Sequence, residues 1–448
     1  MKGSNNRIYF AIVIISAILA IVVLNLPFKA KPLGDDTFHN EAKSLALFLK
    51  GHLPAEKVVI TRAPGPVLFY TPAYMLAPSD ASDNTFWTYG VIFSSFMMLL
   101  SMLLIFKTAA SFFSKEVGIL SVFLFFIFPI HCYYSLGINA EAPAFFSIAI
   151  ALYGWSKAWF SPQKKTGWIC LIVGFLFLIL NRPNTMFLFP IVFLLLVYAW
   201  FKRKEFFAVY AKPLMISFAV VALLGAGTLQ IAKCITARNG YVEQNNLLYY
   251  VIYEGRFQFR DEPFDFRFWD GDNRPDSKDY QNWKKTYAAL DAKIIQTHGT
   301  YEAVYKDFII NDIKAHPLIF VRQFFVKCFY GNIYIINSIR PENFKIGPLK
   351  GHFGYTVFML AINIINILIL FGVGLFLFKE KNQLAYWPFW GIVVALFVFH
   401  GLTYMEPRYM FPSKVALHIL GAAGLYQLTW VKRAVNKIST LFFPVKSF

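Results

Sequence analysis

The chain opens with an apolar run, Ile8 to Leu26, and then reads Gly34-Asp35-Asp36-Thr37-Phe38-His39. An amphipathic stretch from Asn40 to Lys50 follows, and after it Arg62-Ala63-Pro64-Gly65-Pro66-Val67-Leu68-Phe69-Tyr70-Thr71-Pro72. The apolar run is too long for a signal-peptide core, and no small-residue cleavage site follows it. The expectation is an uncleaved first membrane span. Two adjacent carboxylates so close to a bilayer cost free energy unless they face water or a partner, which marks Asp35 and Asp36 as functional-site candidates.

Composition supports a membrane reading. Of 448 residues, 57% are hydrophobic, and the mean hydropathy is +0.50. Apolar runs of membrane-spanning length recur, which excludes an ordinary soluble domain. Lys and Arg number 43 against 25 Asp and Glu, a net charge of +18. These cations sit mainly in short clusters between spans rather than on a soluble module. Lipid headgroups and the positive-inside rule account for them, and nucleic-acid binding is not expected. Cys132, Cys170, Cys234 and Cys328 show no paired spacing, so neither a disulfide framework nor a zinc knuckle is implied.

Ten spans can be read, at roughly 8–27, 85–106, 117–136, 142–160, 167–181, 184–201, 213–234, 354–378, 385–403 and 409–430. The fifth and sixth are short and meet at Asn181-Arg182-Pro183-Asn184, the pattern of a tilted, broken or re-entrant pair. One set of connecting loops carries Lys107, Lys115, Lys157, Lys164, Lys165, Lys202, Arg203, Lys204, Lys212, Lys379, Lys381, Lys432, Arg433 and Lys437. The opposite set of short loops, around 137–141, 181–184 and 404–408, carries only Arg182 and Arg408. Basic loops stay in the cytoplasm, so both termini are expected there. Asp35, Asp36, Glu141, Arg182, Glu406 and Arg408 then all fall on the outer face. The expected domains are an N-terminal membrane region (roughly 1–234, with an outer loop at 28–84), an outer module (235–353) and a C-terminal membrane region (354–448). Within the outer module, helical spacing runs from Tyr280 to Asp312 and breaks at His316-Pro317. Leu318 to Tyr330, with Arg322 and Lys327, has the make-up of a helix lying in the membrane interface.

Neighbouring carboxylates in a poorly hydrated cleft do not both ionise freely, which suits one of Asp35 and Asp36 to act as a general base. Either also suits a helix N-cap near Phe38. Glu141 reads equally as an acid that binds acceptor or metal and as a charge on a helix's first turn. Arg182 and Arg408 match phosphate oxygens bidentately. Their bland readings are snorkelling and an internal pair, such as Arg408 with Glu406. His39, His131 and His400 lie near Asp36, Glu141 and Glu406 in the sequence. No spacing among them is diagnostic of a divalent metal, so no cofactor is assigned and the metal stays open. Asp270-Gly271-Asp272 is better explained as a polar turn.

These residues together resemble the GT-C superfamily of integral membrane glycosyltransferases. The chain is most similar there to bacterial relatives of dolichyl-phosphate-mannose protein mannosyltransferases and of lipid A aminoarabinose transferases. The likeness rests on Asp35-Asp36, Ala63-Pro64-Gly65-Pro66, Glu141, Arg182-Pro183 and Glu406-Pro407-Arg408-Tyr409-Met410-Phe411-Pro412, in that order and on one side. The segment Asp312 to Arg322 also looks like a helix that such enzymes place before a membrane return. The pair here is Asp-Asp where the family usually has Asp-Glu, and His39 stands where an aromatic usually follows.

The resemblance implies an all-α polytopic membrane protein of about 10–13 spans with a small periplasmic module. It implies sugar transfer from a polyprenyl-phosphate donor to an acceptor protein, lipid or polysaccharide, with inversion. Asp35 or Asp36 would act as base, Arg182 and Arg408 would hold the donor phosphate, and Glu141, Glu406 and His39 would serve acceptor or metal. Tyr253 and Trp269 would stack on sugar or form a lid. The expected location is a bacterial inner membrane with the active site facing the periplasm. The alternatives are a flippase or transporter of lipid-linked glycan, and a polymerase or ligase using lipid-diphosphate donors.

Overall fold

The computed structural model of the chain describes residues 36–61, 63–127, 137–238, 247–263, 277–297, 300–332, 345–346, 349–380, 383–405 and 407–442. The expected first span and Asp35 lie outside them, as do His131, Trp269, Asp270 to Asp272 and Glu406. Eight helices come first: α1 (Asp36–Leu49), α2 (Pro64–Leu76), α3 (Asp83–Phe112), α4 (Lys115–Phe126), α5 (Glu141–Phe160), α6 (Lys165–Asn181), α7 (Leu188–Lys202) and α8 (Lys204–Arg238). Then follow α9 (Leu247–Phe257), α10 (Lys278–Thr297), α11 (Tyr301–Ala315) and α12 (Pro317–Tyr330). A two-residue antiparallel ladder pairs β1 (Lys345–Ile346) with β2 (Leu349–Lys350). The chain continues with α13 (Gly351–Lys379), α14 (Trp387–Leu402), α15 (Phe411–Leu425) and α16 (Thr429–Phe442). The fold is thus all-α apart from that small ladder.

Among the described residues, five helices are long and apolar enough to cross a membrane: Asp83–Phe112, Pro183–Lys202, Lys204–Ile235, Gly351–Lys379 and Gln383–Leu402. Lys165–Asn181 and Phe411–Leu425 are shorter apolar helices. Their outward faces carry large apolar side chains, such as Ile92, Phe193, Leu223 and Phe371, all exposed. Water would not tolerate that arrangement, whereas hydrocarbon does. The protein is an integral membrane protein.

Two compact units divide the chain: Met1–Val242 with Ile336–Val393 and Phe411–Phe448, and Glu243–Ile335 with Val394–Met410. In the first, α5 and α6 pack at their glycines. A Cβ on Gly154 would collide with the backbone of Leu171, and one on Gly174 with that of Ala151. Small residues at such a crossing let helix backbones approach without a side chain between them. The two ends of this unit differ chemically. At one end Phe112, Phe113, Phe160, Tyr386 and Phe389 form an aromatic cluster, with Trp159 stacked on Tyr210. Trp155 Nε1 donates there to Ala385 O at 2.7 Å. Tyr and Trp rings, each with an apolar body and a polar tip, suit a membrane–water boundary. Polar contacts concentrate at the other end.

Three local expectations need correction. Ala63-Pro64-Gly65-Pro66 reads as a loop, yet α2 begins at Pro64, where the missing N–H would have had no helical partner. The period from Tyr280 to Asp312 is two helices, not one, and Thr300 Oγ1 caps the second by accepting from Ala303 N at 3.3 Å. The last expected span ends at Leu425, where a turn separates it from α16. The break at His316-Pro317 is present as read, between α11 and α12.

The second unit is built around buried polar side chains. Arg256 donates through Nε to Asp312 (2.7 Å) and through an Nη to Gln323 Oε1 (2.7 Å), and Arg260 takes the other Asp312 oxygen (2.7 Å). Lys327 Nζ donates to Gly255 O (2.6 Å) and Thr403 O (2.7 Å). Burial, with Arg256 nearby, holds that ammonium well below the usual lysine range. Gln258 pairs with the Met405 backbone in both directions, at 2.7 and 2.9 Å. The backbone of 403–405 is therefore clamped just ahead of Arg408. Helix α12 is inverted relative to a soluble helix. Gln323 and Lys327 turn inward, while Leu318 (82% exposed), Phe325 (66%) and Phe329 (61%) face out, as befits a helix lying against lipid.

Asp279 anchors the turn before α10, accepting from the N–H groups of Arg260 (3.0 Å), Asp261 (2.7 Å) and Glu262 (3.4 Å). Burial outweighs these bonds and pushes its carboxyl up to about 6. The folded chain then holds this proton more tightly than the unfolded one, so the group's contribution to stability is fully present below about pH 4. It declines as pH rises to about 6. In detergent-solubilised protein, Asp279→Asn should remove that part of the pH dependence of the unfolding midpoint. An unchanged profile would contradict the assignment.

Candidate functional site

The polar end of the first unit is assembled from segments far apart in sequence. Helix α1 starts at Asp36 and buries Phe38, His39 and Glu41 on one side. His39 Nδ1 lies 2.9 Å from the Tyr74 hydroxyl, and its ring packs against Tyr74 and Trp87. Glu41 Oε1 accepts from both N (2.8 Å) and Oγ1 (2.5 Å) of Thr61. That contact pins the chain just before Arg62 and the Pro-Gly-Pro start of α2. Gly65 lies so close to Asn181 and Leu180 that a Cβ would strike their backbone. The Pro-Gly-Pro turn is thereby seated on the end of α6, beside Arg182.

Tyr70, in the second turn of α2, reaches the other wall. Its hydroxyl lies 3.0 Å from Gly137 O and 3.2 Å from Asn139 O, and it accepts from Asn139 N at 3.3 Å. Asn139 in turn caps α5, its Oδ1 accepting from Glu141 N at 2.9 Å. Glu141, thus fixed at the first turn, accepts from Arg182 Nη2 at 2.7 Å. Both side chains are largely enclosed, 7% exposed for Glu141 and 13% for Arg182. Next to them Asn181 Nδ2 donates to Ser147 Oγ at 3.2 Å. An enclosed ion pair at helix ends is costly to build unless further polar groups satisfy it, and Asn139 and Asn181 lie beside this one in the chain's fold.

Among the sequence-derived candidates, the structure joins Glu141 to Arg182 and sets Asp36 at the start of α1 in the same unit. Arg408 falls on the short turn Pro407–Met410 of the second unit. Tyr253 is fully buried, its hydroxyl donating to Trp283 O at 3.0 Å and its ring enclosed by Phe257, Tyr305 and Phe308. It packs a core and offers no open face to a sugar, which corrects the stacking role expected for it. His39 is held by Tyr74. His400 is also buried, with Nδ1 3.2 Å from Tyr404 O and its ring stacked on Tyr409. Among the described residues, no three His, Cys, Asp or Glu side chains gather as metal ligands would. The sequence reading passed over Glu41, Tyr70 and Asn139. Nothing local marks them, because their partners lie 20 to 69 residues away.

A family model described as dolichyl-phosphate-mannose-protein mannosyltransferase matches residues 82–224, which include Glu141 and Arg182. Two solved structures of the oligosaccharyltransferase of the archaeon Archaeoglobus fulgidus are similar over almost the whole chain. One, tethered with an acceptor peptide containing the NVT sequon, has a TM-score of 0.51 at 12% identity, covering 97% of this chain and 50% of that one. The other, AglB in complex with an inhibitory peptide and a dolichol-phosphate, also has a TM-score of 0.51 at 12% identity, covering 98% and 52%. The chain thus spans about half the length of those proteins. No curated protein sequence matches it. The fold is similar to that of GT-C oligosaccharyltransferases, as the motifs anticipated. The chain's sequence likeness is to the mannosyltransferase family model, from α3 into α8.

Removing one member of the enclosed pair leaves the other charge buried and uncompensated, at a cost of about 3–5 kcal/mol. Glu141→Ala and Arg182→Ala should each lower the unfolding midpoint in detergent, and the double variant should cost clearly less than their sum. Strict additivity would mean the two side chains do not act as a pair.

Proposed function

We propose that the protein transfers a sugar from a polyprenyl-phosphate donor to an acceptor at the outer face of a bacterial inner membrane, with inversion at the anomeric carbon. The observation that carries this reading is the enclosed Glu141–Arg182 pair, at the polar end of the unit whose first described residue is Asp36. The mannosyltransferase family model and the fold likeness to an oligosaccharyltransferase support it.

Asp35 or Asp36 removes the proton from the acceptor's nucleophile as that atom attacks the anomeric carbon. The sugar–oxygen bond to the phosphate breaks on the opposite face, and the lipid phosphate leaves with the bonding electron pair. Arg182 stabilises the charge that develops on the phosphate. Glu141 accepts from Nη2 of that guanidinium and holds it at the start of α5. Arg408 stays a candidate for the phosphate on its motif alone. The acceptor is a protein, a lipid or a polysaccharide, and an acceptor peptide is what the similar archaeal enzyme holds. A divalent metal would draw on Glu406 together with Asp35 and Asp36, since His39 is engaged by Tyr74 and Glu141 by Arg182. Both termini are assigned to the cytoplasm.

The test is sugar transfer by purified protein in nanodiscs, given defined polyprenyl-phosphate sugars and cell-envelope acceptors. At least one of Asp35→Asn and Asp36→Asn should lose about two orders of magnitude or more of the wild-type rate. Full transfer by both variants would remove the base from these residues. Movement of the labelled lipid across the bilayer without transfer would identify a flippase, and use of lipid-diphosphate donors alone would identify a polymerase or ligase. Chelation with EDTA and restoration by Mg2+ or Mn2+ decides the metal.

A further inference from the structure

Helix α16 is amphipathic around its whole circumference. At 100° per residue, Trp430, Ala434, Ile438, Val431 and Val435 share one arc, and Ser439, Lys432, Asn436, Thr440, Arg433 and Lys437 occupy the other. The apolar arc is used in two ways. Val431 and Val435 are buried against the first unit, while Trp430 (70% exposed) and Ile438 (46%) are not covered. The polar arc is divided in the same manner. Asn436 accepts from the Tyr426 hydroxyl at 2.8 Å, and Lys432 Nζ sits over the Tyr426 ring at 5.9 Å, so that edge is tied to the protein. Arg433 and Lys437 lie on the other edge, directly beside the uncovered apolar strip, and both are exposed. The helix carries no carboxylate.

We propose that the strip Trp430–Ala434–Ile438, flanked by Arg433 and Lys437, is a docking surface for an anionic lipid monolayer. The strip seats between acyl chains, and the two cations hold headgroup phosphates. Two observations select lipid over a protein partner. The apolar strip borders cations and no acid, which complements a surface that is apolar in depth and anionic at its edge. The helix also follows α15, an apolar helix, after only the turn Tyr426–Leu428, a connection that keeps it at the membrane boundary. The proposal stands whether or not the protein is a glycosyltransferase.

The experiment uses the full chain in nanodiscs, with its four cysteines replaced by serine. A nitroxide is placed at Ile438→Cys or, as the water-facing control, at Thr440→Cys. In discs containing phosphatidylglycerol, collisions with a water-soluble nickel chelate should be about threefold or more lower at 438 than at 440, with oxygen collisions showing the reverse. Each cation contributes about fivefold to affinity for an anionic surface. Arg433→Gln with Lys437→Gln should therefore cut retention of phosphatidylglycerol relative to phosphatidylcholine by about 25-fold in native mass spectrometry. Equal nickel access at 438 and 440, or unchanged lipid preference in the double variant, would overturn the proposal. Spin–spin broadening at 438 would overturn it too, by showing that a second copy of the chain covers the strip.

Discussion

Hydrocarbon is the constraint from which the arrangement follows. A helix surrounded by acyl chains satisfies its own backbone and turns apolar side chains outward, so charged groups survive only at helix ends or inside the protein. The first unit obeys this closely. Its long apolar helices expose large side chains such as Ile92, Leu223 and Phe371, one end is an aromatic cluster, and the other end holds the Glu141–Arg182 pair. Concentrating polarity at one end, with an enclosed ion pair among it, suits the sugar transfer we propose. The long contacts of that end, Glu41 to Thr61, Tyr70 to Asn139 and Gly65 against Asn181, tie together four segments far apart in the chain.

The second unit answers the same constraint differently. Its helix α12 shows phenylalanines to the surroundings and keeps Gln323 and Lys327 for the interior. Those two side chains, with Gln258, donate into or pair with backbone at 255–258 and 403–405. Such bonds suit an irregular backbone, which has no ladder of its own to satisfy its carbonyls. The segment so held runs into the turn that carries Arg408, which explains how an irregular stretch there keeps one conformation.

Much of this was legible in the sequence because membrane helices announce themselves by length and hydropathy. The breaks at Asn181-Arg182-Pro183 and His316-Pro317 were legible because proline restricts its predecessor. The helix at Pro64 was hidden, since Pro-Gly-Pro carries the local signature of a turn and only the seat on Asn181 rewards a helix there. Helix α16 was hidden inside an apolar window that ran on past Leu425. At the site, charges near helix ends could be identified as a set, but their pairing could not. Glu141 and Arg182 are 41 residues apart, and nothing in either neighbourhood names the other. Tyr253 misled for the opposite reason. An aromatic-rich segment reads alike whether its rings bind sugar or one another, and only packing separates the two cases.

The proposed reaction requires the polar end of the first unit to face away from the cytosol. Thiol labelling in intact cells measures this directly, with single cysteines placed at exposed Asn40 on α1 and exposed Lys204 at the start of α8. A membrane-impermeant maleimide should label position 40 in intact cells and position 204 only after permeabilisation. Labelling of 204 in intact cells, with 40 protected until the membrane is opened, would place the site on the cytosolic side and contradict the account.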